Sequence, residues 1–450
     1  MIGREKLIKK LEEVLVKSKA DQTEIVCVGT QSSLTRFANS MIHQNAYENN
    51  NTFSFRVAVG QKVGVTSTNS LVKADLLQAL DDAYQIALQQ PDNPDFAGLP
   101  KPAKYRELKT FDEKTANFSP ADRAKAVKTI IKKAKAKKFT VAGAFSTASS
   151  EIAVVNSNGI RAYQPASSAA TNMVVMSDSS SGYASDTTRY VDQIDFENLA
   201  HIAVSKCDLS QNPIQLEPGE YEVILEPAAI SEIMEWLNYV SFGSKGFEQN
   251  MSLLSGKIGK KITSDQITIY DDALDENAMA FPFDFEGVPK KKVTFIDKGI
   301  AKGVVHDTTS AKRAKTKSTG HAIMPEYASE GASSFNIGMK AGKVKREELI
   351  ENVKRGILVT RFHYINGLID PRNSMLTGMT RDGTFLIENG ELKSGLKNMR
   401  FTDSMMRAFG TVKGISKERE RKESWWSAVG CMTVPAVHLK SFKFSGKTEF

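Results

Sequence analysis

Between Ser318 and Gly390 the chain is punctuated too regularly for a long helix: Ser318-Thr-Gly320, Leu376-Thr-Gly378, Arg381-Asp-Gly383 and Glu388-Asn-Gly-Glu391. Asp382-Gly383 and Asn389-Gly390 are turn dipeptides, because glycine enters positive φ without steric cost and Asn or Asp tolerates it. The runs Ile357-Leu-Val-Thr-Arg-Phe362 and Thr384-Phe-Leu-Ile387 are short, apolar and rich in strand formers. This region therefore reads as a meander of hairpins.

The remainder of the chain sets the context for that meander. At 450 residues it exceeds what one core commonly supports, so two domains are expected, 1–207 and 220–450, parted where Pro213 and Pro218 make the sequence irregular. The N-terminus, Met1-Ile-Gly-Arg-Glu-Lys6, has no apolar signal core, and no apolar run approaches a membrane span. Three widely spaced cysteines, Cys27, Cys207 and Cys431, argue against a disulfide framework and fit a reducing, cytoplasmic setting. The formal charge of +8 comes from 60 basic and 52 acidic residues in mixture. Its one concentrated patch is a helix opened by Ser119 and Pro120 and carrying Lys125, Lys128, Lys132 and Lys133. That helix lacks interleaved arginines and aromatics, so a solvated face is expected and nucleic-acid binding is not.

Apolar spacing predicts helices over Lys6–Ala20, around Leu34–Ile42, over Leu71–Gln90 and from Asp195 to Val204. Strands are expected at Glu24–Val28, Thr52–Val59 turned at Gly60-Gln61 into Lys62–Thr66, Phe139–Ala144, Glu151–Val155 and Thr171–Met176. Asn156–Gly159 should turn the chain into Ile160–Tyr163. Tyr221–Leu225 then reads as a strand and Pro227–Tyr239 as a helix. The fold class is α+β, with an N-terminal domain of helices and antiparallel hairpins and a β-rich C-terminal domain.

An ordered series of motifs resembles the TldD/PmbA family, whose members have been called modulators of DNA gyrase and zinc-dependent proteases. It comprises Arg56–Gly60, Val154–Gly159, Tyr221–Pro227, Ser255–Gly259, Ile267–Asp272, Phe283–Pro289, Ser318–Gly320, Thr360–Tyr364 and Thr377–Gly383. In the catalytic TldD type the helix after the first strand of the C-terminal domain carries His-Glu-x-x-x-His, two imidazoles for zinc and a glutamate for its water. Here that helix reads Glu226-Pro-Ala-Ala-Ile-Ser-Glu-Ile-Met-Glu-Trp-Leu-Asn-Tyr239, with no histidine. The resemblance thus implies the zinc-free side of the family, with no catalytic residue or cofactor of its own and zinc only in a partner.

It further implies a homodimer, or a heterodimer with a TldD-type paralogue, around a chamber for peptide or unfolded polypeptide. The residues it places near that chamber are Glu235, Tyr239, Thr319, His321, Thr360, His363, Tyr364 and Cys431. Glu235 falls near a ligand position but on a face expected to be solvated, and Cys431 is expected as a buried structural thiol. The six histidines form no local metal motif, leaving only convergence of His321 and His363 with Glu235 or Asp272. Asp271-Asp272 could hold a cation or simply end a strand. No Gly-x-Ser-x-Gly elbow occurs, and Gly446-Lys-Thr448 lacks the rest of a phosphate loop. Two alternatives stand beside the accessory role: a metallopeptidase with an atypical site, and a non-enzymatic module that binds a topoisomerase or another protein.

Overall fold

The computed structural model describes residues 1–424 and 430–448. Its first half is one antiparallel sheet of six strands: β1 (Gln22–Ala38), β2 (Met41–Val59), β3 (Lys62–Thr68), β4 (Thr140–Asn156), β5 (Arg161–Met176) and β6 (Ser181–Thr188), in the order β3-β2-β1-β4-β5-β6. Two helix pairs cover one face. Helices α1 (Arg4–Leu15) and α2 (Lys73–Gln89) bury Leu7, Leu11, Leu76 and Leu80 against Ile25, Phe53 and Phe55. After the short α3 (Glu113–Ala116), α4 (Pro120–Ala136) and α5 (Phe196–Leu209) bury Val127, Ile130, Ala200 and Ala203 against Phe145 and Met173. The caps are those the sequence implies: Ser119 accepts from Asp122 N–H and Asp195 from Asn198 N–H.

The helix expected around Leu34–Ile42 is instead the tip of the β1–β2 hairpin. Asn39 and Ser40 both take positive φ, 50° and 57°, and form a two-residue turn. Phe37 and Ile42 then face each other across the strands, so apolar residues that mimic helical spacing meet by pairing. Phe139–Ala144 and Glu151–Val155 are likewise one continuous strand, β4, because β1 and β5 pair with it along both edges and carry its small residues.

The second half builds an eleven-stranded mixed sheet. Its strands are β7 (Gly219–Leu225), β8 (Ile269–Asp271), β9 (Val293–Asp297), β10 (Ile300–Ala301), β11 (Asn336–Met339), β12 (Arg355–Asp370), β13 (Met375–Glu388), β14 (Glu391–Gly395), β15 (Met399–Ser404), β16 (Val412–Glu423) and β17 (Cys431–Lys447). Helix α6 (Pro227–Leu237) follows β7 and packs on β12 and β17. Asn389-Gly390 turns β13 into β14 as expected, with φ of 52° and 80°. Asp382-Gly383 does not turn the chain. It is a kink inside β13, where the β12 pairing slips between Val359 and Arg361, the signature of a β-bulge.

The halves meet over the uncovered face of the first sheet. Phe281, Phe283 and Phe285, spaced by two, pack on Val26, Ile152, Val154 and Ile160. Beside them Arg56 is buried between Glu24, at 2.8 Å, and Glu286, at 2.9 Å.

Candidate functional site

Helix α6 begins at Pro227, whose fixed φ suits the first helical position. Ile230, Ile233, Met234 and Leu237 bury one face in the main C-terminal core. The other face carries Ser231, Glu232, Glu235 and Trp236 to a narrow cleft closed by Ile365 and Glu423. Its free volume of about 10 Å³ holds at most a single water.

The expectation that Glu235 is solvated is wrong. The side chain is buried and its Oε1 accepts from the Ser424 hydroxyl at 2.7 Å, because β16 and β12 close over this face of α6. Glu232, which the sequence did not single out, is also enclosed. Its Oε2 accepts from Phe362 N–H at 2.6 Å, and its carboxyl is pushed up to about 8 by burial. Next to it Arg361 donates from Nε to Asp382 at 2.9 Å and lies 4.6 Å over the Tyr183 ring. Asp382 also accepts from Ser181 Oγ at 2.8 Å. The bulge at Asp382-Gly383 therefore links α6 to β6 of the other half.

Thr360 and His363 flank Arg361 on β12. Thr360 is buried, and its hydroxyl has no partner among the described residues. Burial pulls the half-buried His363 imidazole down, and Arg361 and Arg381 add to the effect. Its ring lies 4.3 Å from that of Tyr364, which is exposed at φ 49°. Tyr239, beyond the end of α6, is exposed and meets the Trp236 ring edge-on.

Thr319, His321 and Cys431 gather elsewhere, around Asp271. His321 is fully buried, its Nε2 3.1 Å from Asp271 Oδ1 and its Nδ1 3.0 Å from Thr319. Asp271 Oδ2 accepts from the backbone of Phe335 and Asn336. Cys431 Sγ sits 3.9 Å from Asn336 Oδ1, and burial pushes its thiol up. The Lys290 ammonium is buried nearby, 5.3 Å from the Phe335 ring.

These placements settle three expectations. His321 is engaged through both nitrogens with Asp271 and Thr319, so it does not converge with His363. Asp271 and Asp272 are not placed to share a cation: Asp271 turns inward to His321 while Asp272 pairs with Lys292 at 2.9 Å, as neighbours in extended chain face opposite ways. Cys431 is buried, as expected.

The donor set does not fit a zinc site. Helix α6 offers carboxylates and no imidazole, His321 is already committed, and Cys431 is held as a neutral thiol. Among the described residues no three of His, Cys, Asp or Glu are placed to hold a metal ion.

Comparison with known proteins assigns this architecture. Models of PmbA/TldA metallopeptidase domain 1, the central domain and the C-terminal domain match residues 23–87, 109–207 and 218–446 in order. The chain belongs to the PmbA/TldD family. A metalloprotease of Methanocaldococcus jannaschii is 27% identical over 229 residues, 50% of this chain and 50% of that protein. A TldD homologue of Haemophilus influenzae, described as a metalloprotease, is 29% identical over 38% of this chain and 35% of its own length. The matched region thus spans about half or less of these curated relatives. The crystal structure of TldE from Thermococcus kodakarensis superposes with a TM-score of 0.88 over 97% of this chain and all of that one, at 24% identity. At that identity the likeness speaks for the fold alone. The first two family models divide the N-terminal half, yet their strands form a single sheet. No described helix is long and apolar enough to cross a membrane.

Proposed function

We propose that this chain is the zinc-free partner in a peptide-handling assembly of the PmbA/TldD family, holding extended or unfolded polypeptide while a TldD-type paralogue supplies the metal. The observation that carries the reading is helix α6. It follows β7, where the resemblance puts the metal-binding helix of catalytic members, and it carries Glu232 and Glu235 but no imidazole. Zinc hydrolysis requires neutral nitrogen or thiolate donors around an open coordination position. An enclosed pair of glutamates supplies neither. The β-rich walls suit peptide, since backbone hydrogen bonding at a strand is indifferent to side-chain sequence.

A mixing experiment tests the role. The chain is combined with a paralogue carrying His-Glu-x-x-x-His, then assayed for co-elution and for cleavage of unfolded polypeptide. The expected result is a stable complex with altered cleavage, and no chelator-sensitive cleavage by this chain alone. Failure both to associate and to change cleavage would remove the accessory role.

A further inference from the structure

The first turn of α6 opens onto an inner pocket lined by Thr360, Lys206, Arg346, Lys422, Glu226 and Glu420. Among the described residues no side chain caps the helix, and Pro227 and Ala228 of its first turn also form the pocket wall. Helix N-termini present free N–H groups and a positive dipole end, which favour negative charge. The side chains point the same way. Lys206 pairs with Glu226 at 2.5 Å, and Glu420 is shared between Arg346 and Lys422. Three cations against two carboxylates leave the lining with an excess of one positive charge.

The independent observation is Thr360. The residue is 2% exposed, it lines this pocket, and its hydroxyl finds no partner among the described residues. Arg346 Nε is likewise buried with no hydrogen-bond partner among the described residues. Buried polar groups are nearly always satisfied, so such atoms mark a place where something else supplies the bond. The pocket's volume of about 40 Å³ exceeds the roughly 15 Å³ that one water needs, which leaves room for the two oxygens of a carboxylate. It shares Ser185, Leu199, Ile202 and Glu420 with a neighbouring open groove of about 510 Å³. There α5 contributes the apolar Leu199 and Ile202, β16 contributes Arg419, Arg421 and Glu420, and Asp186 and Asp195 add two further carboxylates, so the groove itself carries mixed charge and the positive excess is confined to the inner pocket.

We infer that the pocket at the start of α6 is a carboxylate-binding subsite, which anchors a peptide lying in the groove by its C-terminal carboxylate or by an acidic side chain near that end. This rests on the peptide-handling role proposed above and adds to it a polarity and an anchor.

The test uses the full chain and three fluorescent octapeptides with neutral, unstructured sequences: one with a free C-terminus, one amidated, and one amidated with a glutamate at its penultimate position. Charge-assisted hydrogen bonds in an enclosed site predict that at least one acidic peptide binds roughly tenfold more tightly than the neutral amide. Tighter binding of the free acid alone identifies the terminal carboxylate, and tighter binding of the glutamate peptide identifies the side chain. Thr360→Val and Arg346→Gln, which leaves Glu420 paired with Lys422, should each remove most of the difference while leaving the amide's affinity unchanged. Equal binding of all three peptides overturns the subsite but keeps peptide handling. A preference that survives both substitutions places the carboxylate elsewhere and also overturns it. If no peptide binds, both the subsite and the peptide-handling role fall.

Discussion

At the scale of the residue, Glu232 is the most informative group. Burial raises its carboxyl to about 8 from an ordinary 4.5, against the opposing effects of Arg361 and Phe362 N–H. The folded chain therefore keeps a proton that the unfolded chain loses, between about pH 4.5 and about pH 8. Across that window the unfolded state binds fewer protons, so this group's contribution to stability is intact at low pH and is lost as pH rises through the folded value. Glu232→Gln should gain stability relative to the parent between pH 5 and pH 8, by up to about 4 kcal/mol given about 1.4 kcal/mol per pKa unit over those three pH units. Urea unfolding at the two pH values measures it, and an unchanged difference would show that Glu232 ionises freely. Neither Glu232 nor the burial of Glu235 was legible in the sequence. Glutamates on a helix normally mark its wet face, and only β12 and β16 closing over α6 reverse that.

At the scale of the element, the bulge in β13 replaces a turn. Asp382-Gly383 carries the chemistry of a hairpin, and the local signal was read correctly as positive φ. What it could not convey is that Thr384–Ile387 continues the same strand against β12. The bulge aims Asp382 at Arg361 and Ser181, a bond between halves that a turn would not provide. Gly383 sits at φ 121°, and a Cβ there would fall 2.7 Å from Thr360 Oγ1. Gly383→Ala should cost about 1–3 kcal/mol through backbone strain and contact. It should also loosen Arg361, and the urea midpoint of the whole chain measures the cost. An unaltered midpoint would mean the strand absorbs the residue without strain. The β1–β2 tip teaches the same lesson in reverse: Leu34, Phe37, Met41 and Ile42 have helical spacing, yet Asn39 and Ser40 turn a hairpin in which Phe37 faces Ile42 while Leu34 and Met41 lie opposite Ala46 and Ala38.

At the scale of the whole molecule, the halves share buried charge as well as apolar surface. Arg56 on β2 is enclosed by Glu24 of its own sheet and Glu286 of the other half, while burial pushes the Glu24 carboxyl up to about 8. Removing one partner of a buried ionic group leaves the others uncompensated, at a cost of about 3–5 kcal/mol. Arg56→Met should lose that much at pH 8 and less at pH 5, where Glu24 can take up a proton. Equal losses at both values would show that Glu24 is not the group left exposed to the penalty.

The sequence by itself determined the α+β class, most of the helices with their caps, the family and the absence of a histidine pair on α6, because periodicity, turn chemistry and motif order are local properties of the chain. Only the tertiary structure decided that two expected strands are one, that the Asp-Gly dipeptide is a bulge, that His321 is spent on Asp271, and that the first turn of α6 opens into a charged pocket beside the buried Thr360 hydroxyl. Each of these depends on groups distant in sequence: α6, β12, β16 and α5 come together across the sheet, and burial and electrostatic partners exist only once they have packed.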